Sequence, residues 1–307
     1  MHNFRYLTLL FSLLLAGQAY GSAALEALTD TAHRSWQGQT LSYQNVVGSK
    51  PLYIKFWATW CVPCNEQMPH FQHAFEEYGD KVEFVSINLG VNETPQAMAE
   101  MVEKYKLTMP ILQDNSGELV RAFSLMGTPW HILVNREGRI VHKGHDADAQ
   151  LDKRLALIAA QQPGELPAIS LSAGHQQGLE LQGKGTQMLY FTATWCDWYL
   201  KESRPEQSKN CVAGQQFFNK LADAHPKVNS LGIVSRLWTE QKDLDEYRDK
   251  FSVAHELAID SSLDAAIGFG INQLPTLVII KDGQEIYRQQ DFMQSNDLAS
   301  IAGLLAN

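Results

Sequence analysis

Short apolar runs bounded by turn residues alternate along this chain with longer polar stretches that carry apolar residues at helical spacing. That alternation predicts strands threaded through helices. LYIKF, ending at Phe56, and QMLYF, ending at Phe191, read as buried strands, and each runs into a polar, helix-compatible stretch. A second strand follows in each case, VEFVSIN at Val82 to Asn88 and LGIVSRL at Leu231 to Leu237, then a helix at Pro95 to Tyr105 and at Glu240 to Phe251. PILQD and ELAID come next. MGTPWHILVNREGRIV and INQLPTLVIIKDGQEIY each read as a strand, a Gly-containing turn and a second strand, hence a β-hairpin. A last amphipathic helix closes each series, at Leu151 to Ala160 and at Asp297 to Leu305.

The two series are one unit written twice. FWATWC at Phe56 to Cys61 returns as FTATWC at Phe191 to Cys196, 135 residues later. The landmarks that follow keep their order. Cysteine to proline spans 68 residues in the first copy (Cys61 to Pro129) and 79 in the second (Cys196 to Pro275), and a loop carrying Cys211 can absorb the excess. QQPGELP, with two prolines and a glycine, suits a linker. The expected organisation is 1–21, an N-terminal signal; 24–161, a first domain; 162–167, the linker; and 168–307, a second domain. A length of 307 residues fits two domains at about 150 each.

The N-terminus changes where this chain is expected to work. Arg5, an apolar run from Leu7 to Ala16 and small residues up to Gly21 form the pattern of a cleavable secretory signal peptide. The run is too short to span a bilayer, which needs about 20 residues. Export to the periplasm is the expectation. A net charge of −9, from 25 Lys and Arg against 34 Asp and Glu, argues against a nucleic-acid partner.

Four cysteines, Cys61, Cys64, Cys196 and Cys211, are too few to staple a chain of this length, so apolar cores must hold the domains. Four thiols allow three pairings, and local distance favours 61 with 64 and 196 with 211. A Cys-X-X-Cys opening a helix places its first sulfur among unpaired N–H groups at the positive end of the helix dipole, which favours a thiolate. Cys61 is therefore the expected nucleophile, exposed and readily ionised. Cys64, one turn on, can attack a mixed disulfide formed at Cys61 and so resolve it. Zinc would need more ligands at set spacing, and no metal site is expected. His70 with His73, and His142 with His145, are expected to be solvated.

FWATWCVPCNEQMP and the later Gly-Thr-Pro resemble the thioredoxin fold and, within it, TlpA/ResA-like exported thiol-disulfide oxidoreductases, over about residues 40–160. The second copy, from about 168 to 305, resembles the framework and departs at the active site. The resemblance implies two tandem thioredoxin-like α/β domains, each a central mixed sheet flanked by helices. It implies a disulfide reductase acting on protein disulfide or thiol substrates, re-reduced by a membrane thiol donor, with no bound cofactor. It also implies that Pro129 is cis and faces the cysteines, that the Thr128 backbone pairs with an incoming peptide, and that Trp60 shields the sulfurs.

Three departures from the family stand out. Gln67 replaces a glutamate that handles protons. Lys55 stands six residues before Cys61, where an acid is common; its ammonium either favours a thiolate or snorkels to solvent. Trp130 follows Pro129 and either lines the substrate groove or packs in the core. In the second copy Tyr199 takes the place of the resolving cysteine. Cys196 and Cys211 then form either a structural disulfide in a degenerate domain or a second redox pair. A rival of another class keeps the Cys61 pair without turnover, as a chaperone-like or copper-delivering binding module.

Overall fold

The computed structural model describes residues 23–160, 166–171, 178–179, 181, 184–294 and 298–305. The expected signal peptide, 1–21, lies outside the described residues, as does most of the linker. The chain divides into two units near residue 174. That division falls after the proline-rich stretch, because Ile169 still donates to the Ile140 carbonyl of the first unit (2.7 Å).

The first unit opens with α1 (residues 23–29) and a small pair of strands, β1 (His33–Arg34) and β2 (Thr40–Leu41). It continues through β3 (Leu52–Trp57), α2 (Val62–Glu66), α3 (Met68–Tyr78), β4 (Glu83–Asn88), α4 (Pro95–Tyr105), β5 (Ile111–Gln113), α5 (Glu118–Ala122), β6 (Trp130–Val134), β7 (Ile140–Gly144) and α6 (Ala149–Ala159). The sheet order is β5-β4-β3-β6-β7. β3 runs parallel to β4 and antiparallel to β6, so the sheet is mixed. Every residue of β3 is buried, as a central strand between two layers of helix requires.

The second unit repeats this arrangement with β8 (Thr186–Thr192), α7 (Cys196–Tyr199), α8 (Pro205–Ala224), β9 (Asn229–Ser235), α9 (Gln241–Phe251), β10 (Glu256–Asp260), α10 (Asp264–Gly268), β11 (Thr276–Lys281), β12 (Gln284–Gln289) and α11 (Leu298–Leu305). Its order, β10-β9-β8-β11-β12, is the same path through space. The register agrees too: Phe56 pairs with Trp130, and Phe191 pairs with Thr276, each partner being the residue after the matched proline. Both hairpins carry a register shift, at Leu133/Val134 and at Ile279/Ile280. Both units are thioredoxin-like α/β folds.

Capping explains several boundaries. Thr94 accepts from the Ala97 N–H (3.1 Å) at the start of α4, and Asp148 accepts from Gln150 and Leu151 at the start of α6. Glu240 and Asp243 form a capping box on α9. Cys211 corrects the sequence reading: it lies inside α8, not in a loop. The helix starts at Pro205, where a proline loses no helical hydrogen bond, six residues before any apolar periodicity appears. Among the described residues no helix is long and apolar enough to cross a membrane.

Candidate active site

The turn that follows β3 delivers the chain to Cys61, whose N–H donates to the Ala58 carbonyl (3.2 Å). Cys61 keeps an extended backbone (φ −79°, ψ 106°) and caps α2, with Pro63 in the first turn. Its Sγ accepts the Cys64 N–H at 3.2 Å. The two cysteines are bonded, with Cα atoms 5.2 Å apart. One helical turn thus carries both sulfurs, and the N–H that meets Cys61 Sγ would also stabilise its thiolate after reduction.

Cys61 is wholly buried, as is Cys64, which corrects the expectation of an exposed sulfur. A bonded sulfur carries no charge and needs no water, so the oxidised pair can sit in an apolar seat; solvation matters for the thiolate. Val62, the residue after Cys61, and Met126, two residues before Thr128, are exposed apolar residues.

The turn before Cys61 is clamped by a carboxylate that sequence reasoning missed. Glu93 accepts from the Thr59 N–H (2.7 Å) and hydroxyl (2.5 Å), and from Asn88 Nδ2 (2.8 Å). Trp60 is buried and donates its indole N–H to the Val91 carbonyl (2.8 Å), so the same loop also holds the ring. Thr128–Pro129 is cis, and the Phe56–Trp130 register brings Pro129 beside Trp57, at the sheet end that carries the cysteines. Thr128 and Pro129 are buried. Trp130 is half-buried, edge-on to His145 at 4.6 Å, and the His145 Nδ1 donates to the Pro129 carbonyl (2.7 Å).

A chain of polar side chains runs from the half-buried Gln67 to the buried His131 and Tyr53. Gln67 donates its amide to the His145 carbonyl (3.0 Å), which turns its Oε1 toward His131 Nε2 (2.8 Å). His131 Nε2 therefore carries the proton, and Nδ1 accepts from the Tyr53 hydroxyl (2.7 Å). Burial, then the neighbouring Lys55, pushes the His131 pKa down to about 2, so the ring stays neutral. A polar residue in second place of the otherwise apolar WHILV strand was its one sequence signal.

Lys55 does not snorkel. It is wholly inaccessible, because β3 is the middle strand and helices cover its face. Its Nζ donates to the Gln67 carbonyl (3.4 Å) and lies 5.3 Å from the centre of the Phe71 ring. Burial lowers its pKa from 10.5 to about 7. His142 also departs from expectation: it is buried on β7, opposite Leu133, rather than solvated. His70 pairs with Asp152 at 2.7 Å.

In the second unit Cys196 opens α7 and is bonded to Cys211 on α8, with Cα atoms 6.0 Å apart and both residues buried. Leu274–Pro275 is cis, and the register places Pro275 beside Thr192. The Leu274 carbonyl accepts from the Gln207 side chain. Asp197, next to Cys196, is bound by Lys250. Trp195 donates to the Leu237 carbonyl (2.8 Å), whereas Trp198 is exposed. Among the described residues no group of three or more His, Cys, Asp or Glu could hold a metal ion.

The AhpC/TSA family model matches residues 24–143. The thiol-disulfide oxidoreductase ResA of Halalkalibacterium halodurans is 30% identical over 125 residues, which cover 40% of this chain and 69% of that protein. The sporulation thiol-disulfide oxidoreductase A of Bacillus subtilis is 34% identical over 106 residues, covering 34% of this chain and 63% of that protein. The crystal structure of StoA from Bacillus subtilis aligns with a TM-score of 0.36 and 29% identity, over 41% of this chain and 95% of that one.

Proposed function

From the premise that this chain belongs to the AhpC/TSA thioredoxin-like family, as a thiol-disulfide oxidoreductase close to ResA, we propose that it is an exported reductase of protein disulfides. Cys61 attacks the client disulfide and Cys64 resolves the mixed disulfide, leaving the client reduced and the Cys61–Cys64 bond restored. The observation that carries this is the cap geometry: Cys61 Sγ meets a helical N–H at 3.2 Å and lies in bonding reach of a sulfur three residues on.

Pro129 and the Thr128 backbone form the edge along which an extended client pairs, and Trp60 covers the sulfurs. That assignment draws on the register that sets Pro129 at the cysteine end of the sheet. Periplasmic location follows from the signal pattern at 1–21, and re-reduction by a membrane thiol donor follows from the ResA-type resemblance. We assign the Cys196–Cys211 bond a structural role. In support, Gln207 occupies the Leu274 carbonyl, part of the edge a client would need.

Reduction of insulin by dithiothreitol, followed by turbidity, tests the reading. Wild type should accelerate it and Cys61→Ser should not, while Cys64→Ser should hold clients as mixed disulfides. Equal rates for wild type and Cys61→Ser would sink the proposal.

A further inference from the structure

The wholly buried Lys55 has no carboxylate partner among the described residues. Its Nζ donates to the Gln67 carbonyl, three residues beyond Cys64, and lies against the Phe71 ring. A lysine in the middle strand of a sheet is costly to keep charged, and a packed core gains nothing from an amine that methionine would not supply. We propose that Lys55 is the proton store of the dithiol reaction: an amine while Cys61 and Cys64 are bonded, and an ammonium once they are reduced. This rests on the oxidoreductase reading and deepens it.

The balance is complete. A dithiol donor reduces the Cys61–Cys64 bond and becomes a disulfide. Of its two protons, one ends on Cys64 and the other on Lys55, leaving Cys61 as a thiolate. When that thiolate attacks a client disulfide, one client sulfur leaves as a thiolate. Cys64 then attacks Cys61 as the client's second sulfur departs, and the protons of Cys64 and Lys55 finish on the two client thiols. Net charge at the site is zero in both states, which is what a site of low dielectric favours.

The groups facing Lys55 leave this role to it. Across β6, His131 is locked neutral between Tyr53 and Gln67; Tyr53, two residues back on β3, is held protonated by burial. Ser86, its partner on β4, accepts from Trp57. On α3, His70 is spent on Asp152 of α6, while Arg154 of α6 donates to the Val141 carbonyl. His142 on β7 is held towards its neutral form by burial, and His145 is tied to Pro129. Glu93, at the end of the sheet, is occupied by Thr59 and Asn88. With burial setting its pKa near 7, Lys55 is neutral above that pH until a thiolate appears.

The test is the equilibrium of the full chain with dithiothreitol from pH 6 to 9. Above pH 7, wild type should take up to one more proton per two electrons than Lys55→Met. Because dithiothreitol itself gives up two protons with its two electrons, log K for wild type should then rise less steeply with pH, its slope lower by up to one than that of Lys55→Met. Cys61 should also ionise about tenfold less readily at a given pH in Lys55→Met, as read by its alkylation rate. Should the variant fail to fold, the ¹³Cε titration of lysine-labelled wild type replaces it, with Lys55 titrating higher in the reduced protein than in the oxidised one. Superimposable slopes, or one Lys55 midpoint in both redox states, overturn the proton store and leave insulin turnover intact. Loss of the oxidoreductase reading would show instead as no turnover in wild type.

Discussion

The two units share a strand order, a register and a cis X-Pro beside the same central strand, yet they pair their cysteines differently. In the first, the bond spans three residues of one turn, so breaking it frees little chain. In the second, it ties α7 to α8 across 15 residues, and breaking it frees a loop. The strands beneath differ as well. Lys55 on β3 corresponds to Tyr190 on β8, so the residue six before the first cysteine is a buried amine in one unit and a buried phenol in the other. The same fold thus positions a cysteine after its central strand in both units, and the place of the second sulfur differs: one turn on in the first unit and on a second helix in the other.

The largest expected effect tests that division directly. Cys61→Ser should lower insulin turnover on the order of 10³-fold, the scale of losing a nucleophile, whereas Cys196→Ser should leave it within about twofold. A comparable loss from Cys196→Ser would make the second disulfide part of the reaction. Next comes the buried charge. The folded chain sheds the Lys55 proton near pH 7 while the unfolded chain keeps it to 10.5. Between those values the unfolded state binds more protons, so stability of the oxidised protein should rise with pH, by several kcal/mol at about 1.4 kcal/mol per unit. Denaturant melts at pH 6, 8 and 10 should show that rise in wild type and not in Lys55→Met. Parallel curves for the two proteins would refute it.

The brace itself is expected to supply about 3 kcal/mol, by the loop-closure entropy of 15 residues. Amide exchange in α8 should quicken about a hundredfold in Cys196→Ser/Cys211→Ser, with α3 unchanged; equal protection in α8 would count against a structural role. The smallest effect probes packing. A Cβ on Gly214 of α8 would lie 2.6 Å from Tyr190 Oη and 3.0 Å from Pro275 Cγ. Gly214→Ala should cost about 1–3 kcal/mol in the second unit. A neutral melt would mean that α8 can back away from the proline.

Much of this was legible in the residue order. The repeated FWATWC and FTATWC, the helix at Pro95–Tyr105 and both hairpins lie where periodicity and turn residues place them. The start of α8 was not, because a helix can begin in a polar stretch whose buried face appears only several residues later. Nor was the fate of Lys55. A lysine in an apolar strand reads as a snorkelling chain until the strand is seen to be the middle one, with no path outward.

By itself, the sequence determined the tandem α/β plan, the pairing of one turn with two sulfurs at Cys61 and Cys64, and the loss of that pairing at Tyr199. These depend on spacing along the backbone, which chain connectivity enforces. Only the tertiary structure decided that Glu93 clamps the Thr59 turn, that Gln67 fixes the His131 tautomer, that Gln207 covers the Leu274 carbonyl and that Lys55 is sealed from water. Those contacts join residues that are distant in sequence or depend on burial from both faces of a sheet. Their energies come from the exclusion of water, a property of the packed whole that no local segment carries.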